Sequence, residues 1–167
     1  MTFTFASNLQ EHQLLFQNLG VLESAVNEAS ELIAKAFAGG NKLMLCGNGG
    51  SAADSQHIAA EMTGRFIKDR KPLPAIALTT DTSALTCIAN DYSFEDVFAR
   101  QVGALSRSGD VLIAISTSGN SGNVIKAMHV AKDLGVKVIA LSGRDGGQMK
   151  SLADLSIIVP SQTTARI

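Results

Sequence analysis

The sequence predicts an α/β fold: a doubly wound five-stranded parallel sheet flanked by helices, preceded by an N-terminal helical region. Three observations carry this expectation. Short apolar runs of strand length alternate with longer amphipathic segments. The runs are mostly apolar, as in strands covered on both faces, rather than alternating polar with apolar. Each of the first four runs opens into a loop rich in glycine and hydroxyl groups. Strand alternating with helix implies right-handed crossovers and a helical layer on each side of the sheet.

In chain order, Leu14, Leu15, Leu19, Leu22, Val26, Ile33, Ala34 and Phe37 recur at three- and four-residue steps, so the region from about Leu9 to Ala38 reads as helix. Gly20 interrupts it, and Gly39-Gly40 ends it as a C-cap. The strands are expected at Lys42 to Cys46, Ala75 to Leu78, Val111 to Ile115, Val136 to Leu141 and Leu155 to Val159. The helical segments between them are Ser51 to Gly64, Phe94 to Leu105, Ser121 to Leu134 and a short one near Gln148 to Leu152. Pro160 leads into Ser161-Gln162-Thr163-Thr164, which resembles the N-cap of a further helix. A doubly wound sheet needs such a helix to cover one face, so a C-terminal helix is expected to be missing from this chain.

A chain of 167 residues, 46% hydrophobic, suits one well-buried core and is short for two, so residues 1–167 are read as one domain, with helices over 1–38 and an α/β core over 41–167. A net charge of -1 argues against a surface that grips nucleic acid or anionic lipid by bulk attraction. Seven phenylalanines, one tyrosine and no tryptophan offer no stacking platform for bases. No apolar run approaches the ~20 residues that span a bilayer. The N-terminus lacks the basic and apolar regions of a secretory signal, and the expected location is the cytoplasm. Cys46 and Cys87 stand far apart with no C-x-x-C, so both are read as buried small apolar groups.

The stretch from Cys46 to Arg65, CGNGGSAADSQHIAAEMTGR, joins the first strand to a helix through a polar glycine-rich loop. Gly47, Gly49 and Gly50 allow positive φ and close approach of a ligand to the main chain. Ser51 stands at the expected N-cap, and free amides at a helix start form an anion site. The P-loop lysine is absent and G-x-G-x-x-G is not spelled, which weakens nucleotide readings. A second loop, Ser116-Thr117-Ser118-Gly119-Asn120-Ser121, offers hydroxyls and turn amides at another helix start, either an anion nest or an ordinary capped turn. Two such loops at one sheet edge favour the nest, because ligands of open α/β sheets bind at the carboxyl ends of the strands.

His57 and Glu61 stand at i and i+4, the spacing used by metal-ligand pairs and acid/base pairs. The ordinary alternative is a helix-surface hydrogen bond, with Glu61 paired to Arg65. Their place on the helix that opens with the glycine loop favours function. They lie two to three turns from Ser51, or about 10–15 Å at ~1.5 Å rise per residue, a gap that a sugar phosphate spans. Asn90 and Asp91 either hydrogen-bond sugar hydroxyls or cap the next helix. The segment from Phe66 to Lys71 reads as a solvated connection.

These motifs, with NDYSFEDVFARQV, DVLIAISTSGNS, LSGRDGG and the final TARI, resemble those of the sugar isomerase (SIS) domain proteins and, within them, the phosphoheptose isomerases. The resemblance runs from about Gly39 to the last residue. It implies a homotetramer that interconverts sedoheptulose 7-phosphate and D-glycero-D-manno-heptose 7-phosphate, the entry step to heptose precursors of lipopolysaccharide core or related glycans. By the same resemblance, the positions of Asn48, Gly49, Gly50, Ser51, Ser116, Thr117, Ser118 and Ser121 contact substrate, as do Arg65, Asn90 and Asp91. His57 and Glu61 match two zinc ligands, and Glu61 also matches the base that moves a proton between C1 and C2. The family's further zinc ligands, a glutamine and a histidine, lie on a helix after TARI, beyond Ile167. A non-catalytic relative, the tetramer that associates with the bacterial replication initiator, is the alternative. It lacks the glutamate and has a disrupted serine loop, whereas this chain keeps both.

Overall fold

The computed structural model describes residues 4–167. Residues 1–3 of the expected N-terminal region lie outside the described residues. Helix α1 (Phe5–Asn18) is capped by Thr4, whose hydroxyl accepts from the Ser7 amide. A 3-10 turn over Leu19–Leu22, at the glycine flagged from sequence, separates it from α2 (Glu23–Ala38). Gly39 caps α2, and Gly40 follows at φ 78.

The sheet comprises β1 (Leu43–Gly47), β2 (Ala75–Ala77), β3 (Val111–Ser116), β4 (Lys137–Gly143) and β5 (Leu155–Val159), in the order β2-β1-β3-β4-β5 with every pairing parallel. The connections carry α3 (Gly50–Thr63), α4 (Thr82–Asp91), α5 (Val97–Leu105), α6 (Gly122–Asp133) and the short α7 (Met149–Leu152). Alternate residues of β1 serve the two faces. Leu43 and Leu45 pack with Ala29, Ala36 and Ala59 of α2 and α3, whereas Met44 and Cys46 pack with Val97, Val102, Val124 and Met128 of α5 and α6. The Cys46 thiol is fully buried there, and that burial pushes its pKa up to about 12.

Two expectations change at the sheet's edges and on α4. β1, β3 and β4 are buried almost throughout, but β2 and β5 are only partly covered because each pairs on one side alone. Cys87 is exposed rather than buried: it lies on the outer side of α4, with its Sγ 3.4 Å from Asp91 Oδ2. That hydrogen bond and the Asp91 charge raise the thiol's pKa.

Aspartates fasten the amino ends of the strands. The buried Asp110 accepts from Lys42 Nζ at 2.5 Å, the Lys42 amide at 2.9 Å and the Arg107 amide at 2.7 Å, so it clamps the entry of β1 to that of β3. Burial alone would raise its pKa, but these three hydrogen bonds outweigh it and hold the carboxyl below its ordinary value. Asp154 acts similarly before β5, accepting from Lys137 Nζ and the Val138 amide, both at 2.9 Å. With that rim given to fastening, the opposite rim is left to loops.

Candidate active site

The order 2-1-3-4-5 reverses direction between β1 and β3, so the chain leaves β1 for one face of the sheet and β3 for the other. The loops that follow diverge and leave a crevice at the switch point. The glycine loop enters this crevice from one side. Gly47 has no room for a side chain, since a Cβ there would lie 2.7 Å from Ser51 Cβ and 3.0 Å from the Ile115 carbonyl oxygen. Gly49 takes φ 56 and caps α3, so the helix starts one residue earlier than expected and Ser51 lies inside its first turn. Ser51 is therefore not the N-cap, and it lines the crevice.

The serine loop enters from the other side. Ser121 occupies the N-cap position of α6 but makes no capping bond; its Oγ lies 2.8 Å from Ser116 Oγ instead. The first amides of α6 are thus left uncapped by this hydroxyl, with the positive end of the helix dipole behind them. The two loops are joined by a reciprocal amide pair: Asn48 Nδ2 donates to Asn123 Oδ1 and Asn123 Nδ2 to Asn48 Oδ1, both at 2.9 Å. A third loop, after β4, buttresses the second. The Gly143 amide donates to the Thr117 carbonyl at 3.1 Å and the Met149 amide to the Gly119 carbonyl at 3.1 Å.

The result is two adjoining hollows. One, a cup of about 270 Å³, is lined by Asn48, Ser51, Ser116, Thr117, Ser118 and Ser121 from the predicted set, together with Arg144 and Thr164. The other, a cleft of about 640 Å³, shares Asn48, Ser51, Ile115, Thr117 and Thr164 with the cup and runs along α3 to Asp54 and His57; Gly50 lines it too. Its far wall is apolar, built from Ile157, Val159 and Ile167.

His57 Nε2 lies 3.2 Å from Glu61 Oε1, which joins the two as their spacing predicts. Glu61 is half-buried and lies one turn past the cleft's lining. The alternative pairing with Arg65 does not form, because α3 ends at Thr63 and Arg65 is exposed beyond it. Arg65, Asn90, Asp91 and Gly49 line neither hollow in this single chain. Asn90 and Asp91 are the last residues of α4, not the cap of the next helix. Asp91 accepts from Asn90 Nδ2 at 2.8 Å, and this bond, with that from Cys87, lowers its pKa.

Among the described residues no three His, Cys, Asp or Glu side chains gather as a metal cluster. The imidazole nitrogen and carboxylate of His57 and Glu61 are donor types that zinc takes, and they sit close enough on one helix face to share an ion, so they fit as part of a ligand set. Two other expectations shift. The loop after β2 does not join the crevice: Asp81 accepts from the Ala84 amide at 2.9 Å to cap α4, and Thr79 bonds the Ala52 carbonyl. Arg70, expected in a solvated connection, caps the carboxyl end of α3 by donating to the Glu61 and Met62 carbonyls at 2.7 and 2.9 Å.

Residues 10–143 match the SIS domain family. The chain belongs to that family. This SIS domain chain is 58% identical over 160 residues to the phosphoheptose isomerase of Nitratiruptor sp., a match covering 95% of this chain and 86% of the relative. It superposes on the structure of a phosphoheptose isomerase from Neisseria gonorrhoeae with a TM-score of 0.91 at 48% identity, covering 96% of this chain and 86% of the other. A phosphoheptose isomerase from Francisella tularensis gives a TM-score of 0.93 at 36% identity, with the same coverage. Within this SIS fold, sequence reasoning did not single out Asn123, Arg144 or Thr164 as lining or bracing the crevice. Arg144 carried a signal through its place in the polar loop LSGRDGG after a strand, and Thr164 through the motif TARI; Asn123 carried none.

Proposed function

We propose that this chain is a phosphoheptose isomerase, which interconverts sedoheptulose 7-phosphate and D-glycero-D-manno-heptose 7-phosphate through an ene-diol. The observation that carries the reading is the hydroxyl-lined cup at the switch point, continuous with a cleft that runs along α3 toward the His57–Glu61 pair. Close relatives of the same name support it.

The phosphate end enters the cup, where the hydroxyls of Ser51, Ser116, Ser118 and Ser121 and the first amides of α6 donate to its oxygens. The sugar lies along the cleft, past Asn48 and Thr117, with C1 and C2 toward Glu61. Held at its remote end, the substrate presents those carbons in one orientation, and binding energy far from the reacting bonds serves the transition state. Glu61 takes the proton from C1 of the ketose and returns it to C2, while the C1 hydroxyl proton passes to the C2 oxygen. No oxidant or reductant is needed. His57, 3.2 Å from Glu61 Oε1, fixes the carboxylate's orientation.

Zinc is the proposed cofactor, with His57 and Glu61 as two of its ligands. When bound it supplies Lewis-acid polarisation of the substrate's carbonyl oxygen. Gly49, Gly50, Arg65, Asn90 and Asp91 complete the proposed substrate set. Residues that line neither hollow here reach the sugar only across a subunit boundary or after loop movement, which agrees with a homotetramer. A cytoplasmic location and a role in supplying heptose for lipopolysaccharide core or related glycans belong to the same proposal.

The test is an assay with sedoheptulose 7-phosphate and added zinc, run on the wild-type protein beside Glu61→Gln. Turnover by the first and its loss in the second are expected. Equal rates in both, or no turnover by the wild type, refute the assignment.

A further inference from the structure

We infer that Arg144 is the charge-neutralising group of the phosphate cup and sets its preference for a dianion over a neutral sugar end. The inference rests on the isomerase reading and adds to it a residue for the known site. The serine hydroxyls and Thr164 that line the cup are all neutral, and Arg144 is the one cation among the lining residues. A phosphate ester is close to doubly charged at neutral pH. Hydroxyls and amides can match its shape, but they leave its charge uncompensated in a partly desolvated hollow.

The placement of Arg144 is built rather than incidental. It adopts φ 57, the one non-glycine residue in the left-handed region among those described, a conformation an L side chain seldom holds without support. The support is explicit. The Arg144 amide donates to the Ser161 carbonyl at 3.0 Å, the Gly143 amide beside it to Thr117 and the Gly146 amide to Gly143 at 3.0 Å. The last of these closes the turn, and the Gly143–Thr117 bond ties it to the serine loop, so the base of the guanidinium moves with the hydroxyls. The guanidinium itself is held loosely. Nη2 lies 3.4 Å from Thr164 Oγ1, and among the described residues it enters no ion pair. A forked donor with unspent N–H groups at the rim of a hydroxyl cup matches a phosphate's oxygens in geometry and in charge.

Two substitutions separate charge from backbone. Arg144→Asn keeps a residue that tolerates the left-handed region but removes the charge; Arg144→Lys keeps the charge and loses the fork. Michaelis constants for the sugar phosphate and inhibition constants for inorganic phosphate are measured on all three proteins, with thermal midpoints as the check on folding. Loss of a charge-assisted pair predicts that Arg144→Asn raises both constants about 10- to 100-fold with kcat within about threefold, and that Arg144→Lys recovers most of the loss. Raising the ionic strength should weaken phosphate inhibition of the wild type more than that of Arg144→Asn. Unchanged constants in Arg144→Asn, or equal impairment of Asn and Lys variants with a lowered midpoint, overturn the inference. A wild-type protein that fails to isomerise yet binds inorganic phosphate through Arg144 sinks the isomerase reading and leaves this one standing.

Discussion

Gly119→Ala tests how the serine loop is held. Gly119 sits at φ 66, and a Cβ built there would land on the Gly146 carbonyl oxygen and 2.9 Å from the Gly147 nitrogen. Both obstacles are backbone, so no rotamer change relieves them. Left-handed strain costs an alanine about 1–2 kcal/mol, partly offset by the roughly 0.4–1 kcal/mol that alanine removes from unfolded-chain entropy. The crowding decides the rest. The loops after β3 and β4 must separate, which breaks the Met149 amide bond to Gly119 and the 3.1 Å bond from the Gln148 amide to Asn120 Oδ1, at about 1 kcal/mol each. The sum is about 2–3 kcal/mol, or roughly 4–12 °C in Tm for a chain of this size. Thermal unfolding followed by circular dichroism reads the stability. Steady-state isomerisation should show KM raised more than kcat is lowered, because the proposed function gives this loop the phosphate contacts and places the base on α3. A variant with wild-type Tm and KM would refute both the packing argument and the role of the loop.

Further expectations follow from other contacts. Glu61→Gln should lower kcat by about 10²–10⁴ while leaving inhibition by inorganic phosphate near wild type, checked by steady-state kinetics. Asn123→Ala deprives Asn48 of both amide bonds and should cost about 1–2 kcal/mol in denaturant unfolding and raise KM, since the glycine loop loses its brace to α6. Asp110→Ala leaves Lys42 Nζ and two amides without their acceptor and should destabilise by about 2–4 kcal/mol in urea titrations. Because the Asp110 pKa is depressed in the folded state, its contribution is complete above the unfolded value near 3.9 and is lost as pH falls through the folded one. Acid unfolding below about pH 4 should therefore be shallower in Asp110→Asn than in wild type. Treatment with a strong chelator should abolish turnover, and zinc should restore it, in the same isomerase assay.

The strands were legible because Leu43 to Cys46, Val111 to Ile115 and Val138 to Leu141 are short unbroken apolar stretches between turn signals, as in a doubly covered parallel sheet; the observed strands start or end within two residues of the expected runs. The two loops that line the crevice were legible for a similar local reason, since glycine and hydroxyl side chains fall directly after a strand. What sequence could not rank was competition for the same group. Asp81 and Ser51 look alike as helix starters, yet Asp81 caps α4 while Ser51 is released to the crevice because Gly49 takes the cap position. Asn48 and Asn123 stand far apart in sequence, and only the β1–β3 pairing brings them into a reciprocal bond. The service of Arg144 to the cup depends on a loop crossing that no spacing reveals.

The two thiols give the molecule an unplanned gauge of its own integrity. Cys46 lies sealed in the middle of the sheet with an ionisation so suppressed that an alkylating reagent finds almost no thiolate, while Cys87 stands at the surface of α4. A maleimide or iodoacetamide should thus modify one cysteine in the native state and reach the second only when β1 comes apart. The ratio of singly to doubly tagged protein then records how often the central strands open.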